Sequence, residues 1–201
     1  MEKELKVNYP RNRDYWLSKP SENFGRFLVW QILGGLQLCR SALFLHKDLS
    51  LKNLFLTKTF QLKIGDLGCF ERLKEEEIVN LGEHGTPNYM SPEYFQKYNN
   101  VSYNNAYKID YYALGVSIYY MLTSKYPIEI NKHIKVKPKE NTQLKDEKVL
   151  NFIDNKITVL NQNQLYYDLV NEINLCISNI DNLNISKSLQ DLLKSTIILI
   201  I

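Results

Sequence analysis

Residues 46–53, His-Lys-Asp-Leu-Ser-Leu-Lys-Asn, constrain this chain more than any other stretch. They follow a long apolar run and precede two strand-like runs, so they read as a polar loop clamped between regular elements. Upstream, Phe24, Phe27, Leu28, Ile32 and Leu36 recur at helical spacing, with Ser21 placed to cap and Glu22 in the first turn. That helix is expected to reach about Leu45. Its apolar residues occupy more than one face, which predicts a buried helix. Downstream, residues 53–57 and 61–65 alternate as strands, and the polar Lys58 and Thr59 between them predict a small hairpin. Helices are further expected after Pro92, over 107–123, over 165–177 and from Ser188 onward. Residues 69–85 read as a charged loop, and about 130–163, rich in Lys and Asn, as a long loop or insertion. The fold class implied is mainly α, and 201 residues at 44% hydrophobic suffice for one core.

The loop has a chemistry of its own. Asp48 is followed five residues later by Asn53, which allows a carboxylate and an amide oxygen to face one phosphate–metal centre. The aspartate can orient or accept the proton of an attacking hydroxyl, and the amide oxygen can ligate Mg²⁺. Thirteen residues beyond Asn53, at the end of the predicted hairpin, comes Asp66-Leu67-Gly68. A second carboxylate there can bridge Mg²⁺ to the phosphates, with Gly68 giving the turn its freedom.

These motifs resemble the catalytic loop and metal-binding element of eukaryotic-type protein kinases. The rest follow in that family's order. Residues 85–93, Gly-Thr-Pro-Asn-Tyr-Met-Ser-Pro-Glu, resemble the GTxxYMAPE segment of the serine/threonine branch. Residues 110–115, Asp-Tyr-Tyr-Ala-Leu-Gly, resemble DxWxxG with Tyr112 in the tryptophan's place. The resemblance is firm over residues 14–128 and looser over the helices of 164–201. It implies a kinase large lobe whose small β-hairpin carries the catalytic and metal loops, with the N-terminal lobe absent and the domain truncated at both ends. It implies ATP and Mg²⁺ as cofactors, a protein Ser or Thr hydroxyl as acceptor, and a partner supplying the missing lobe. Asp48 would position the nucleophile, Asn53 and Asp66 would hold the metal with Gly68 beside the nucleotide, and Thr86 would shape the substrate site. His46 would be structural, and Asp110 would anchor the loop backbone.

The sequence also departs from the family. Ser50 stands where a serine/threonine kinase carries the lysine that neutralises transferring phosphate, and Lys52 is the nearest replacement in sequence. Lys47 replaces the arginine that grips a phosphorylated loop, and a lysine lacks the planar fork. Residues 69–85 contain no Ser, Thr or Tyr, so this loop is expected not to be switched by its own phosphorylation, with the acidic run 75–77 as Lys47's standing partner. Glu93 has no evident partner, and a buried unpaired carboxylate is costly. The rival reading is a non-catalytic, pseudokinase-like scaffold module or a fragment of a longer kinase.

Composition excludes other classes. A net charge of +3, evenly spread, gives no argument for nucleic acid. Three widely spaced cysteines, Cys39, Cys69 and Cys176, fit no disulfide framework or zinc pattern and read as free thiols in a reducing compartment. The first residues carry no apolar leader core, and the run 196–201 is too short to span a bilayer, so a cytoplasmic or nuclear protein without a membrane partner is expected.

Overall fold

The computed structural model describes residues 21–75, 77–82, 84–96, 99–130 and 162–198. Helix α1 spans Glu22–Ser41 and is capped by Ser21, whose hydroxyl accepts from the Phe24 N–H at 3.4 Å. It buries Gly25, Leu28, Val29, Ile32 and Leu36 on one face. Trp30 and Leu38, each 73% exposed, stand on the other, so the expectation of a helix buried all round is corrected. The helix also stops short of Leu45. Leu43 turns into the left-handed region (φ 59°) and Phe44–Leu45 leave as strand β1. The cause lies far off in sequence: β1 pairs antiparallel with β4, Glu71–Arg72, in the register Phe44↔Arg72 and Leu45↔Glu71. The ladder bonds available there outweigh the local helical spacing.

The predicted hairpin is present. Strands β2, Leu54–Leu56, and β3, Leu62–Ile64, pair antiparallel with Leu54 opposite Ile64. Alternation sends Leu54 and Leu56 inward and leaves Phe55 exposed. Residues 69–85, expected as loop alone, contain β4 and then β5, Ile78–Asn80, which pairs antiparallel with β6, Asn100–Ser102. Among the described residues the strands thus form three separate two-stranded ladders.

Helix α2, Tyr103–Thr123, is the spine of the core. Ile109, Tyr112, Ala113, Leu114, Val116, Ile118 and Met121 are all buried, covering most of its circumference. Each of the aliphatic and methionine side chains larger than alanine contributes roughly 1.5–3 kcal/mol by leaving water. Ser124 ends the helix in the left-handed conformation (φ 59°), its N–H bonding the Tyr120 carbonyl at 2.8 Å. Two further helices, α3 (Gln162–Ile180) and α4 (Lys187–Ile198), pack on this core through Leu169, Ile173, Ile180, Leu193 and Ile197. The contact between α2 and α4 is tight. A Cβ on Gly115 would lie 2.8 Å from Thr196 Oγ1, so only glycine fits that crossing. The segment 14–19, most of the insertion expected over 130–163, and the tail 199–201 lie outside the described residues. Among the described residues no helix is long and apolar enough to cross a membrane.

Candidate active site

The loop between β1 and β2 is held from below by one carboxylate. Asp110, from the first half of α2 and 4% exposed, accepts the His46 N–H on Oδ2 at 2.8 Å and the Lys47 N–H on Oδ1 at 3.0 Å. Burial pushes its pKa up, and the two N–H donors oppose that shift. His46 is fully buried. Its Nδ1 accepts the Asp48 N–H at 3.3 Å, which leaves the ring hydrogen on Nε2 to donate to the Gly65 carbonyl at 3.2 Å. Its ring also meets Phe70 edge-on, with centroids 4.8 Å apart. The imidazole therefore ties the 46–53 loop to the hairpin end, and the same residue's backbone N–H ties both to α2.

Above this floor sits Asp48, 8% exposed, with both oxygens engaged. Thr86 donates its hydroxyl to Oδ1 at 2.5 Å. Asn53 donates from Nδ2 to Oδ2 at 3.0 Å and to the Asp48 carbonyl at 2.8 Å. Lys52 brings its ammonium to 3.6 Å from Oδ2 while remaining half exposed. Asn53 lies in a short 3₁₀ turn, Leu51–Asn53, and is itself buried. Its amide nitrogen is spent on Asp48, so its Oδ1 oxygen is the end left to meet a ligand.

Asp66 enters from the end of β3. Gly65 donates its N–H to the Asn53 carbonyl at 2.9 Å, which fixes the residue before Asp66 against the catalytic loop. Asp66 occupies the left-handed region (φ 59°, ψ 74°), and its Oδ1 accepts the Gly68 N–H at 3.4 Å. The unusual conformation therefore falls on the aspartate and not on Gly68, which corrects the expected role of that glycine. An aspartate tolerates it because its side chain bonds its own backbone two residues on. Asp66 is exposed and makes no direct bond to Asp48 or Asn53. Cys69, a free and half-buried thiol, lies within the field of both aspartates. Burial chiefly, then Asp48 and Asp66, raise its pKa. Among the described residues no three His, Cys, Asp or Glu side chains gather as a metal cluster, so any cation here would rest on an amide oxygen and a carboxylate.

Two sequence expectations change. Ser50 is fully buried and its hydroxyl has no partner among the described residues, so it presents nothing to a ligand. Lys52, not Ser50, reaches the carboxylate. Among the described residues of the acidic run 75–77, neither Glu75 nor Glu77 pairs with Lys47. Glu75 is exposed, Glu77 pairs with Lys74 at 3.5 Å, and Glu76 lies outside the described residues. Lys47 instead bonds Glu71 at 2.7 Å, with its own side chain only 6% exposed. Sequence reasoning missed Glu71. The signal available was its place as the first acid after Asp66.

The 91–95 segment behaves differently. Ser91 Oγ, Glu93 Oε2 and Tyr94 Oη are buried with no hydrogen-bond partner among the described residues. Burial raises the Glu93 pKa, and Ser91, the Glu93 backbone and the charge of Lys108 offset only part of that.

A family model described as "Protein kinase domain" matches residues 12–199. Over 104 residues, 52% of this chain and 14% of the relative, the chain is 36% identical to mouse "Serine/threonine-protein kinase PLK2". It is 43% identical over 96 residues to mouse "Serine/threonine-protein kinase Nek4", 48% of this chain and 12% of that protein. Budding yeast "Cell cycle serine/threonine-protein kinase CDC5/MSD2" is 34% identical over 104 residues, again 14% of its length. The matched stretch thus spans about one-seventh of these relatives.

Proposed function

The chain belongs to the eukaryotic-type protein kinase family, on its serine/threonine side, and from that premise we propose that it transfers the terminal phosphoryl group of ATP to a protein Ser or Thr hydroxyl. The observation that carries this reading is the Asp48 carboxylate, held at both oxygens by Thr86, Asn53 and Lys52. A carboxylate whose position is fixed before the acceptor arrives spends no reorganisation energy when it takes up the acceptor's hydrogen bond. Asp48 orients the hydroxyl and receives its proton as the new P–O bond forms. Thr86 carries the start of the turn Pro87–Tyr89 and sets where a substrate hydroxyl can approach. Lys52, on a flexible half-exposed stem, balances charge on the oxygens being transferred, the task its family gives to the position of Ser50. Removing one such contact costs about 3–4 kcal/mol of transition-state stabilisation.

The donors suit a hard cation. Asn53 offers an unused amide oxygen, and Asp66 offers an exposed carboxylate at the turn that Gly65 pins to Asn53. All-oxygen ligation with open positions is what Mg²⁺ prefers. When bound, Mg²⁺·ATP supplies the phosphoryl group and neutralises charge across the terminal phosphates. We assign the described residues to the large lobe, supported by the motif order and by the helix-rich core around α2.

The test is transfer of label from [γ-³²P]ATP with Mg²⁺ to a general protein acceptor, followed by phosphoamino-acid analysis. The expected result is phosphoserine and phosphothreonine, with Asp48→Asn lowering the rate by roughly 10²–10⁴-fold. Nucleotide binding without transfer, or a rate indifferent to Asp48→Asn, would favour the scaffold reading.

A further inference from the structure

The Lys47–Glu71 contact joins parts of the chain that the proposed chemistry must hold in register. Lys47 adjoins Asp48 and sits in the left-handed region (φ 67°), where a lysine stays only if its surroundings hold it. Its N–H is bound by Asp110 at 3.0 Å, and its ammonium is bound by Glu71 at 2.7 Å. Glu71 in turn sits on β4, directly opposite Leu45 of β1. The same lysine meets the far side of the loop. A Cβ on Gly85 (φ 136°) would come within 3.0 Å of the Lys47 carbonyl, and one on Gly82 would lie 3.7 Å from its ammonium. Thr86, the next residue after Gly85, donates to Asp48. Lys47 is thus enclosed by α2 below, β4 on one side and Gly82 and Gly85 on the other.

Burying an ammonium demands a partner, because an uncompensated charge in a poorly hydrated site is expensive. Glu71 meets that demand from within the chain, and residues 69–85 contain no hydroxyl side chain that a phosphate could modify. We propose that Glu71 is a positioning residue for Asp48, and that the Glu71–Lys47 pair locks the catalytic loop to the 71–85 loop without any added phosphate. This rests on the phosphoryl-transfer reading above, since it assigns that site its standing, unswitched state. Glu71 touches no reacting atom. It acts by fixing Lys47, whose backbone leads into Asp48 and whose carbonyl packs against the strand of chain that delivers Thr86.

The test is amide hydrogen exchange on the full 201-residue chain without nucleotide, comparing wild type, Glu71→Gln and Glu71→Asp, before and after phosphatase treatment. Exchange needs no transfer activity, so failure of the kinase reading and failure of this proposal are separable. Glu71→Gln is expected to speed exchange about tenfold at Lys47, Asp48, Leu73 and Leu81, a size between that of an exposed and a fully buried pair. The α2 amides should be unchanged, Glu71→Asp should restore most of the protection, and phosphatase should change nothing. Where transfer is measurable, Glu71→Gln should lower kcat with KM unchanged. Unaltered exchange in Glu71→Gln, loosening that extends through α2, no recovery in Glu71→Asp, or loss of protection on phosphatase treatment would each overturn the proposal.

Discussion

The loop of residues 46–53 and the segment 91–95 are buried to similar depth, yet they treat their polar groups in opposite ways. In the first, Asp48, Asn53, His46 and Lys47 all find partners, most of them from other elements, and only the Ser50 hydroxyl is left without one among the described residues. In the second, Ser91, Glu93 and Tyr94 each bury an atom with none among the described residues. The difference teaches where this molecule invests in order. A fully satisfied buried network fixes a geometry, whereas an unsatisfied one only costs stability. Preorganisation belongs to the 46–53 loop, and most of the unpartnered buried polar atoms among the described residues sit about forty residues away in sequence.

Breaking the satisfied side should have the largest effect. Asp110→Ala removes the acceptor of two buried N–H groups and is expected to cost about 3–5 kcal/mol in urea denaturation. The loss should exceed that of removing any one of the unpartnered polar groups of 91–95, as in Ser91→Ala, Glu93→Gln or Tyr94→Phe. Relieving the unsatisfied side should act in the other direction. Because burial raises the folded-state pKa of Glu93 above its ordinary 4.5, the folded chain holds that proton more firmly than the unfolded chain. Stability from this group is therefore greatest at low pH and falls as pH rises from about 4.5 through the raised folded value. Glu93→Gln should flatten that decline and stabilise the protein by on the order of 1 kcal/mol at pH 8. Thermal melts of both proteins between pH 4.5 and pH 8 check the sign.

The smallest effect sharpens the comparison within the 46–53 loop itself. Ser50 is the one member of that stretch whose buried hydroxyl lacks a partner among the described residues. Ser50→Ala removes an unsatisfied group and is expected to be neutral or stabilising by up to about 1 kcal/mol, read by denaturant midpoint. A marked loss of stability would mean that the hydroxyl has a partner after all.

Much of this was legible in sequence because its causes are local. Ser21 caps α1 through a residue three positions on, and the polar pair Lys58 and Thr59 marks the β2–β3 turn. The pairing of Asp48 with Asn53 was legible because their spacing carries a chemistry, and the contact of Thr86 with Asp48 followed from the family resemblance. What stayed hidden was set by pairing across long separations. The β1–β4 ladder ends α1 early and brings Glu71 to Lys47, but strands of two residues leave no periodicity to read. The left-handed turn at Asp66 falls next to two positions better suited to it by type, Gly65 and Gly68, so residue identity pointed to the wrong atom. Ser50 was assigned by its register in a motif, and only packing shows that it faces inward while Lys52 faces the carboxylate.

The account rests on Asp66 and Asn53 serving one cation beside Asp48, although Asp66 is linked to the others only through Gly65 and the Asn53 carbonyl. The direct measurement is the thermal midpoint with ATP, with Mg²⁺ and with both, for wild type, Asn53→Ala and Asp66→Asn. The prediction is a rise that requires ATP and Mg²⁺ together, about 2.7 kcal/mol of stabilisation at a hundredfold excess over Kd, and absent from both variants. A rise in Asp66→Asn equal to that of wild type, or one indifferent to Mg²⁺, would contradict it.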